Sequence, residues 1–334
     1  MGLATPPAWV AAVLLLGAWL LFRAAVSSAI PGQAANAARE VAITYVARVE
    51  ATRQSAGEIQ LWVPLAKTRQ GQQEVLAREV HAPAPYTVAE DPEFGNGILH
   101  LTFHRPVQAP IEGSIDYRVR LVAGGAWRKE DSAEELARAL MPNRLVLVDA
   151  EIRRRAQQAT AGRRTATDRA RGIYEHVIQR MTYDKTTPGW GRGDTKRACE
   201  LGRGNCTDFH SLFISMARAQ QIPARFDIGF VIPPEASGTI AGYHCWAEFY
   251  DDDAWVPVDA SEAWKRPELT GYYFGAHAPN RFLISVGRDL QLVPPQRGEP
   301  VNIFLAPYVE VDGQVFEQAT AECRFRDLQQ PEGA

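Results

Sequence analysis

The chain has few cysteines and no strong excess of charge of either sign. Its 334 residues carry a formal net charge of −3, whereas a nucleic-acid-binding chain usually has a strongly basic face. We therefore predict no nucleic-acid partner. The four cysteines are irregularly spaced, which does not favour a dense disulfide framework, and the sequence leaves their pairing open. They are Cys199, Cys206, Cys245 and Cys323.

A long membrane-spanning hydrophobic run is also missing. Residues 8–22 form one apolar run of about fifteen residues, which is short for a spanning helix and suits the core of a signal peptide. No Lys or Arg precedes the run, which is unusual for a cleaved signal. We predict that residues 1–30 are a signal peptide or a membrane anchor. The chain would then be exported to the periplasm or cell envelope, where contact of this segment with the membrane is possible.

The sequence shows no metal-binding motif of a familiar kind. The run 251–253 contains three aspartates but lacks the ligand spacing of a calcium loop. Cys199 and Cys206, which could join His210 and His244 around zinc, are further apart than paired zinc ligands usually are. We predict neither a metal nor a cofactor.

The patterns that are present predict an α+β protein. Short β-branched segments separated by turns at 41–49, 58–63, 86–88, 98–103 and 114–122 indicate a β-sandwich over 38–125. Residues 126–148 read as a linker. Apolar residues recur at helical spacing after Asp149 and again after Thr165. These helices belong to a second domain that we predict over 149–300. The last segment, 301–334, contains further strands and a tail.

Cys206 follows a glycine-containing loop and opens a helix. Phe209, Leu212, Phe213 and Met216 recur at helical spacing after it. In the first turn of a helix, unpaired N–H groups and the macrodipole stabilise negative charge. A cysteine there can become a thiolate nucleophile. The simpler alternative is a buried structural cysteine.

A predicted hairpin brings His244 and Asp259 together. If the chain turns at 251–252, residues whose numbers sum to 503 face each other, and His244 lies directly opposite Asp259. A carboxylate beside an imidazole fixes its tautomer and stabilises the imidazolium. The sequence therefore predicts a Cys206, His244 and Asp259 triad.

Four segments together resemble the transglutaminase-like superfamily, whose members share a papain-like fold and a Cys-His-Asp triad. The segments are 204–209 (GNCTDF), 221–225 (QIPAR), 244–248 (HCWAE) and 255–259 (WVPVD). The resemblance covers about 165–265 and extends more weakly to flanks like those of bacterial exported members. It implies that Cys206 is the nucleophile, His244 the general base and acid, and Asp259 the orienting carboxylate.

Neighbouring residues have simpler interpretations. We predict that Arg225 pairs with a local carboxylate or a loop carbonyl and that Glu248 is structural. Strand alternation places Cys245 opposite His244, in the core. Asp208 is interpreted as a helix N-terminal charge. Three aromatic side chains are candidates for lining the cleft: Tyr183, Trp190 and Trp246.

Two functional hypotheses follow. The first is an enzyme that attacks an amide or peptide bond of a protein or peptide substrate, with hydrolysis favoured over cross-linking because water needs no acceptor site. The second is a catalytically silent scaffold or binding module with the same fold.

Overall fold

The structure is a computed structural model that describes residues 37–51, 57–104, 106, 110–129 and 131–328. The predicted signal peptide or anchor at 1–30 lies outside these residues. Within them, no helix combines the length and the apolar character needed to cross a membrane.

The described residues form seventeen strands and six α-helices. The strands are β1 (Ala38–Val49), β2 (Ile59–Leu65), β3 (Gln73–His81), β4 (Tyr86–Glu90), β5 (Gly97–Phe103), β6 (Ile111–Val122), β7 (Trp127–Arg128), β8 (Thr182–Tyr183), β9 (Arg203–Gly204), β10 (Ala224–Val231), β11 (Ser237–Thr239), β12 (His244–Asp251), β13 (Ala254–Val258), β14 (Arg281–Val286), β15 (Tyr308–Val311), β16 (Gln314–Val315) and β17 (Ala319–Asp327). The helices are α1 (Ala133–Arg138), α2 (Ala150–Ala159), α3 (Ala166–Arg180), α4 (Thr195–Leu201), α5 (Cys206–Ala219) and α6 (Ala260–Lys265), followed by a 3-10 turn at Pro267–Leu269.

Two five-stranded sheets pack as a β-sandwich. One has the strand order β11-β17-β1-β6-β3 and the other β16-β15-β2-β5-β4. Alternate residues of β1, among them Val41, Ile43 and Tyr45, point into the shared core, as the period of a strand requires. The C-terminal strands complete both sheets, because β17 pairs with β1 and β15 pairs with β2. The sandwich is therefore built from both ends of the described chain.

A third sheet supports the second core. Its order is β14-β10-β12-β13-β7, and every neighbouring pair is antiparallel. Strand β7 and helix α1 lie in the segment 126–148, which the sequence predicted as a linker. That segment is therefore partly ordered: β7 extends the sheet beside β13.

Helix α5 lies at the centre of the second core. Thirteen of its fourteen residues, Cys206 to Arg218, are buried, and it packs against helices α2 to α4 and α6 and strands β10 and β12. The apolar spacing correctly predicted this helix. The structure adds that its polar residues are buried too, with partners: Ser211 contacts Arg288, and His210 contacts the backbone of Ala260. A helix buried all round can fix the positions of the residues at its start.

Candidate active site

Cys206 is the first residue of α5. Asn205 caps the helix: its side chain accepts from Thr207 N at 2.9 Å, and its own N–H donates to Oδ2 of Asp208 at 3.0 Å. This reciprocal capping box fixes the chain where it enters the helix. The backbone N–H of Cys206 is then among those with no acceptor inside the helix. The Cys206 side chain is only 1% exposed.

His244 and Asp259 meet on the adjoining hairpin. His244 is the first residue of β12, and Asp259 follows β13 and caps α6. Nε2 of His244 lies 2.7 Å from Oδ2 of Asp259, and both side chains are buried. The structure therefore brings two of the three residues that the sequence singled out into contact.

The register predicted for this hairpin is wrong by two residues. Ala247 pairs with Val258 and Asp251 with Ala254, so paired numbers sum to 505 and Asp259 is not directly opposite His244. The turn is at Asp252 and Asp253, whose positive φ angles of 49° and 56° fit a type I′ turn. A shift of two residues keeps every side chain on its predicted face, whereas a shift of one would reverse it.

The carboxylate of Asp259 is held by further donors. Oδ1 accepts from Ser261 Oγ and from Glu262 N, each at 3.0 Å. Oδ2 accepts from Nη2 of Arg281 at 2.7 Å, in addition to His244. Burial raises the pKa of Asp259, but His244 and Arg281 outweigh it, so the pKa lies well below its usual value. The carboxylate is therefore ionised and fixed in orientation.

Cys206 and His244 shift each other's pKa. Burial raises the pKa of the Cys206 thiol, but the hydrogen bonds to Cys245 and His244 and the charge of His244 lower it well below its usual value. Burial lowers the pKa of His244, but the charge of Asp259 and hydrogen bonds to Asp259 and Cys206 raise it to about 9. Together these shifts favour a thiolate–imidazolium pair.

Cys245 lies in the core, as predicted. Its sulfur contacts two side chains near the start of α5, Thr207 Oγ1 at 3.6 Å and His210 Nδ1 at 3.8 Å. Helix α5 therefore packs on the face of the sheet to which Cys245 points, so Cys245 lies next to the helix that begins at Cys206.

Asp208 connects the loop around Gly191 and Gly193 to the start of α5. In addition to Asn205 N, its carboxylate accepts from Gly191 N at 2.8 Å and from Gly193 N at 3.1 Å. It lies in the first turn of α5, as predicted, but its oxygens face the loop. A Cβ at Gly193, where φ is +65°, would lie 2.4 Å from Ser211 Oγ. Only glycine lets this loop approach the helix so closely.

Arg225 and Glu248 form a buried ion pair away from the triad. They lie directly opposite each other on β10 and β12, with Nε of Arg225 2.8 Å from Oε2 of Glu248. Arg69 donates to the same oxygen at 2.7 Å. Burial raises the pKa of Glu248, but Arg225 and Arg69 lower it to about 2. The predicted pairing of Arg225 with a carboxylate is confirmed.

The three aromatic candidates for the cleft occupy different environments. Tyr183 is half-buried, and its ring lies 6.1 Å from that of Phe209. Trp190 is 37% exposed, on the loop that Asp208 fastens. Trp246 is buried and stacks beside His244, with ring centroids 6.4 Å apart. Trp246 is therefore part of the core beneath the site.

Sequence reasoning missed Arg281. It opens the apolar strand β14, 22 residues after Asp259 along the chain, and the only signal was a charge at the start of an apolar strand. His210 was considered only as a possible zinc ligand. Its position four residues after Cys206 placed it on the same helix face. Within the described ranges, no three His, Cys, Asp or Glu residues are grouped so as to hold a metal ion.

Residues 153–260 match the family described as the transglutaminase-like superfamily, and this span contains Cys206, His244 and Asp259. Over this span the chain is similar to the transglutaminase-like superfamily. The predicted resemblance is thereby confirmed. A Haemophilus influenzae protein, named only as uncharacterized, is 25% identical over 311 residues, which cover 78% of this chain and 82% of that protein.

Solved structures with a similar fold include a candidate cysteine protease from Cytophaga hutchinsonii. It superposes with a TM-score of 0.60 at 14% identity and covers 89% of this chain and 93% of its own. This likeness confirms the predicted α+β fold around the transglutaminase-like domain. The periplasmic domain of TgpA from Pseudomonas aeruginosa, at 13% identity, covers 72% of this chain and 97% of its own. Its TM-score is 0.36, an overlap too weak to bear on fold or location.

Proposed function

We propose that this protein is a cysteine enzyme that cleaves amide or peptide bonds through a thioester on Cys206. The position of His244 between Asp259 and the start of α5 carries the proposal. Nε2 of His244 donates to Asp259 at 2.7 Å, its ring centroid lies 6.4 Å from that of His210 on α5, and its charge lowers the pKa of the Cys206 thiol. Because Nε2 is occupied, Nδ1 is the nitrogen left to exchange a proton with the sulfur.

In the first half-reaction the Cys206 thiolate attacks the carbonyl carbon. The backbone N–H of Cys206 can donate a hydrogen bond to the carbonyl oxygen and stabilise the negative charge that develops there. His244 gives its Nδ1 proton to the departing amine as the C–N bond breaks, leaving a thioester. Asp259 keeps the imidazole oriented and stabilises its charged form.

In the second half-reaction His244 removes a proton from water. The water oxygen attacks the thioester carbon, the C–S bond breaks, and the acid is released as the Cys206 thiolate is restored. A primary amine in place of water would give a cross-linked product through the same intermediate. We propose hydrolysis, because water needs no separate acceptor site, with a protein or peptide as substrate.

The cellular setting is part of the proposal. We infer export to the periplasm or cell envelope from the apolar run at residues 8–22. That segment would serve as a signal peptide or as an anchor in the membrane.

The burial of the site favours a second candidate, a silent scaffold. Cys206 is 1% and His244 5% exposed, so a substrate carbonyl reaches the sulfur only if the surrounding loops move. A scaffold would keep the fold and the hydrogen bonds without turnover. Reactivity of Cys206 toward a small reagent separates the two candidates.

The deciding experiment is alkylation of the purified full-length chain with iodoacetamide between pH 5 and 9, followed by peptide mapping. Cys199 is an internal control, because burial raises its pKa to about 11. We expect rapid labelling of Cys206 below pH 7 and slower labelling after His244→Ala. Labelling of Cys206 that is slow below pH 7, and no faster than that of Cys199, would favour the scaffold.

A second experiment separates hydrolysis from transfer. The chain is incubated with casein, first alone and then with a fluorescent primary amine, with Cys206→Ala as the control. New peptide termini that require Cys206 support hydrolysis. Cys206-dependent fluorescence on casein, without new termini, would replace it with transfer.

A further inference from the structure

A second cation is buried beside the proposed triad. Nη2 of Arg281 donates to Oδ2 of Asp259 at 2.7 Å, and this is the oxygen that also accepts from His244. The Arg281 side chain is 4% exposed and that of Asp259 is 3% exposed. Because water does not reach these groups, their charges act on one another with little screening.

Arg281 is held in place from more than one side. Its guanidinium lies 5.8 Å from the centre of the Trp246 ring, and its backbone pairs with Val231 in β10. Its Nε has no hydrogen-bond acceptor in the part of the chain that the structure describes. Asp259 is thus the ion-pair partner that compensates the buried charge of Arg281.

The charges of the site balance because of Arg281. Asp259 and Arg281 form a neutral pair, and transfer of a proton from Cys206 to His244 adds one negative and one positive charge. The site is therefore neutral in both states. Without Arg281 it would carry a net charge of −1 in both, and a buried net charge is costly.

Arg281 also acts on the pKa of His244. Asp259 raises that pKa, whereas the positive charge of Arg281 lowers it. The other titratable groups around Arg281 and His244 lie on several elements: Cys206 and His210 on α5, Cys245 on β12, and Tyr272, Tyr273 and His277 in the segment before β14.

We propose that Arg281 is a positioning residue that sets the pH range over which His244 can both take and give a proton. It does so by sharing the charge of Asp259, which would otherwise hold the proton on His244 more tightly. A general acid and base works best when its pKa lies near the working pH. The proposal rests on the proposed function, in which His244 is that acid and base.

The test is an NMR titration of His244 in the full chain, with histidine labelled by ¹³C and ¹⁵N. The chain has seven histidines, and His244→Gln identifies the signal. Cys206→Ala is included throughout, so that the titration belongs to His244 and not to the thiol pair. We expect Arg281→Met to raise the pKa of His244 by about one unit, a tenfold gain in proton affinity. Arg281→Lys keeps the positive charge, so we expect it to raise this pKa by no more than about half a unit.

An unchanged or lowered pKa of His244 in Arg281→Met would overturn the proposal. A purely structural arginine would lower the melting temperature of both variants without moving this pKa. If Arg281→Met alone does not fold, Asp259→Asn is compared with Asp259→Asn/Arg281→Met, which leaves no unpaired buried charge. We expect the higher pKa in the double variant, and equal values would overturn the proposal.

The role of Arg281 and the proposed function can be rejected separately. Slow alkylation of Cys206 in the otherwise unchanged chain would reject the function, whatever His244 does. Rapid alkylation of Cys206 together with an unmoved His244 pKa would reject only the role of Arg281.

Discussion

His244 and Asp259 are diagonal neighbours across a hairpin, and their side chains nevertheless meet at 2.7 Å. Both oxygens of the Asp259 carboxylate accept hydrogen bonds from other donors, which fix its orientation toward the imidazole of His244. This contact carries the first prediction.

Replacing Asp259 by Asn should slow alkylation of Cys206 at pH 6.5 by at least about tenfold. The amide carries no charge to raise the pKa of His244, so less imidazolium is present to stabilise the thiolate. The measurement is the iodoacetamide rate, with the exposed Asp168→Asn as the control. Equal rates in the two variants would show that Asp259 does not support the thiolate.

Replacing Cys245 by Ala should raise the pKa of Cys206. The Cys245 thiol can donate to the Cys206 thiolate, which lowers that pKa, and alanine removes the donor. We expect alkylation of Cys206 to slow several-fold at pH 6.5 and to change little at pH 9, where the thiolate forms in either chain. Cys323→Ala, which removes a buried thiol from the sandwich, is the matched control. A Cys245→Ala profile identical to that of Cys323→Ala would contradict the prediction.

Local sequence patterns predicted the three triad residues because a helix cap positions Cys206 and a single hairpin positions His244 and Asp259. Cys206 follows a capping residue, and that signal is read within four residues. The pairing of His244 and Asp259 survived an error in the register because the error was an even number of residues. The sequence does not distinguish a turn at 251–252 from one at 252–253, since aspartate occupies all three positions and tolerates positive φ.

Long-range contacts could not be predicted in the same way. The partnership of Arg281 with Asp259 depends on the path of the chain between α6 and β14, for which the sequence has no periodic signal. The contacts of Cys245 with Thr207 and His210 depend on how α5 lies across the sheet. Strand alternation describes the two faces of a strand but not which helix covers each face.

Replacing Asp208 by Asn should loosen the loop around Gly191 and Gly193. Asp208 accepts three backbone N–H groups, and an amide has one oxygen and a nitrogen that cannot accept. We expect the free energy of unfolding to fall by about 1–3 kcal/mol and trypsin to cut faster near Arg192. The control is Asp184→Asn, whose carboxylate accepts from the nearby Thr186 and Thr187 and lies 4.0 Å from Nη1 of Arg203. Loss of stability in the control alone would contradict this assignment.

Ionisation of the buried Asp227 carboxyl should destabilise the fold as the pH rises. Burial, opposed by Arg69 but reinforced by Glu248, raises its pKa to about 6. A carboxyl with a raised pKa contributes its full stability below the unfolded value of about 4, and that contribution is lost as the pH rises through 6. Asp227→Asn mimics the protonated form, so its melting temperature relative to the unchanged chain should increase between pH 4 and pH 7. A difference that stays constant with pH would contradict the shift.

The pairing of β1 with β17 constrains the order in which the protein can be assembled. Strand β1 pairs with β6 on one edge and with β17 on the other, where Val41 is paired with Asp327. The second edge therefore stays unpaired during synthesis until nearly the whole described chain has been made. The transglutaminase-like domain, whose β-strands pair over much shorter separations, can fold before the sandwich closes. During that interval β1 has an open edge, which is the kind of surface on which chains aggregate. Removal of β17 would make this transient edge permanent, so the yield of folded protein depends on a strand that contributes no residue to the triad.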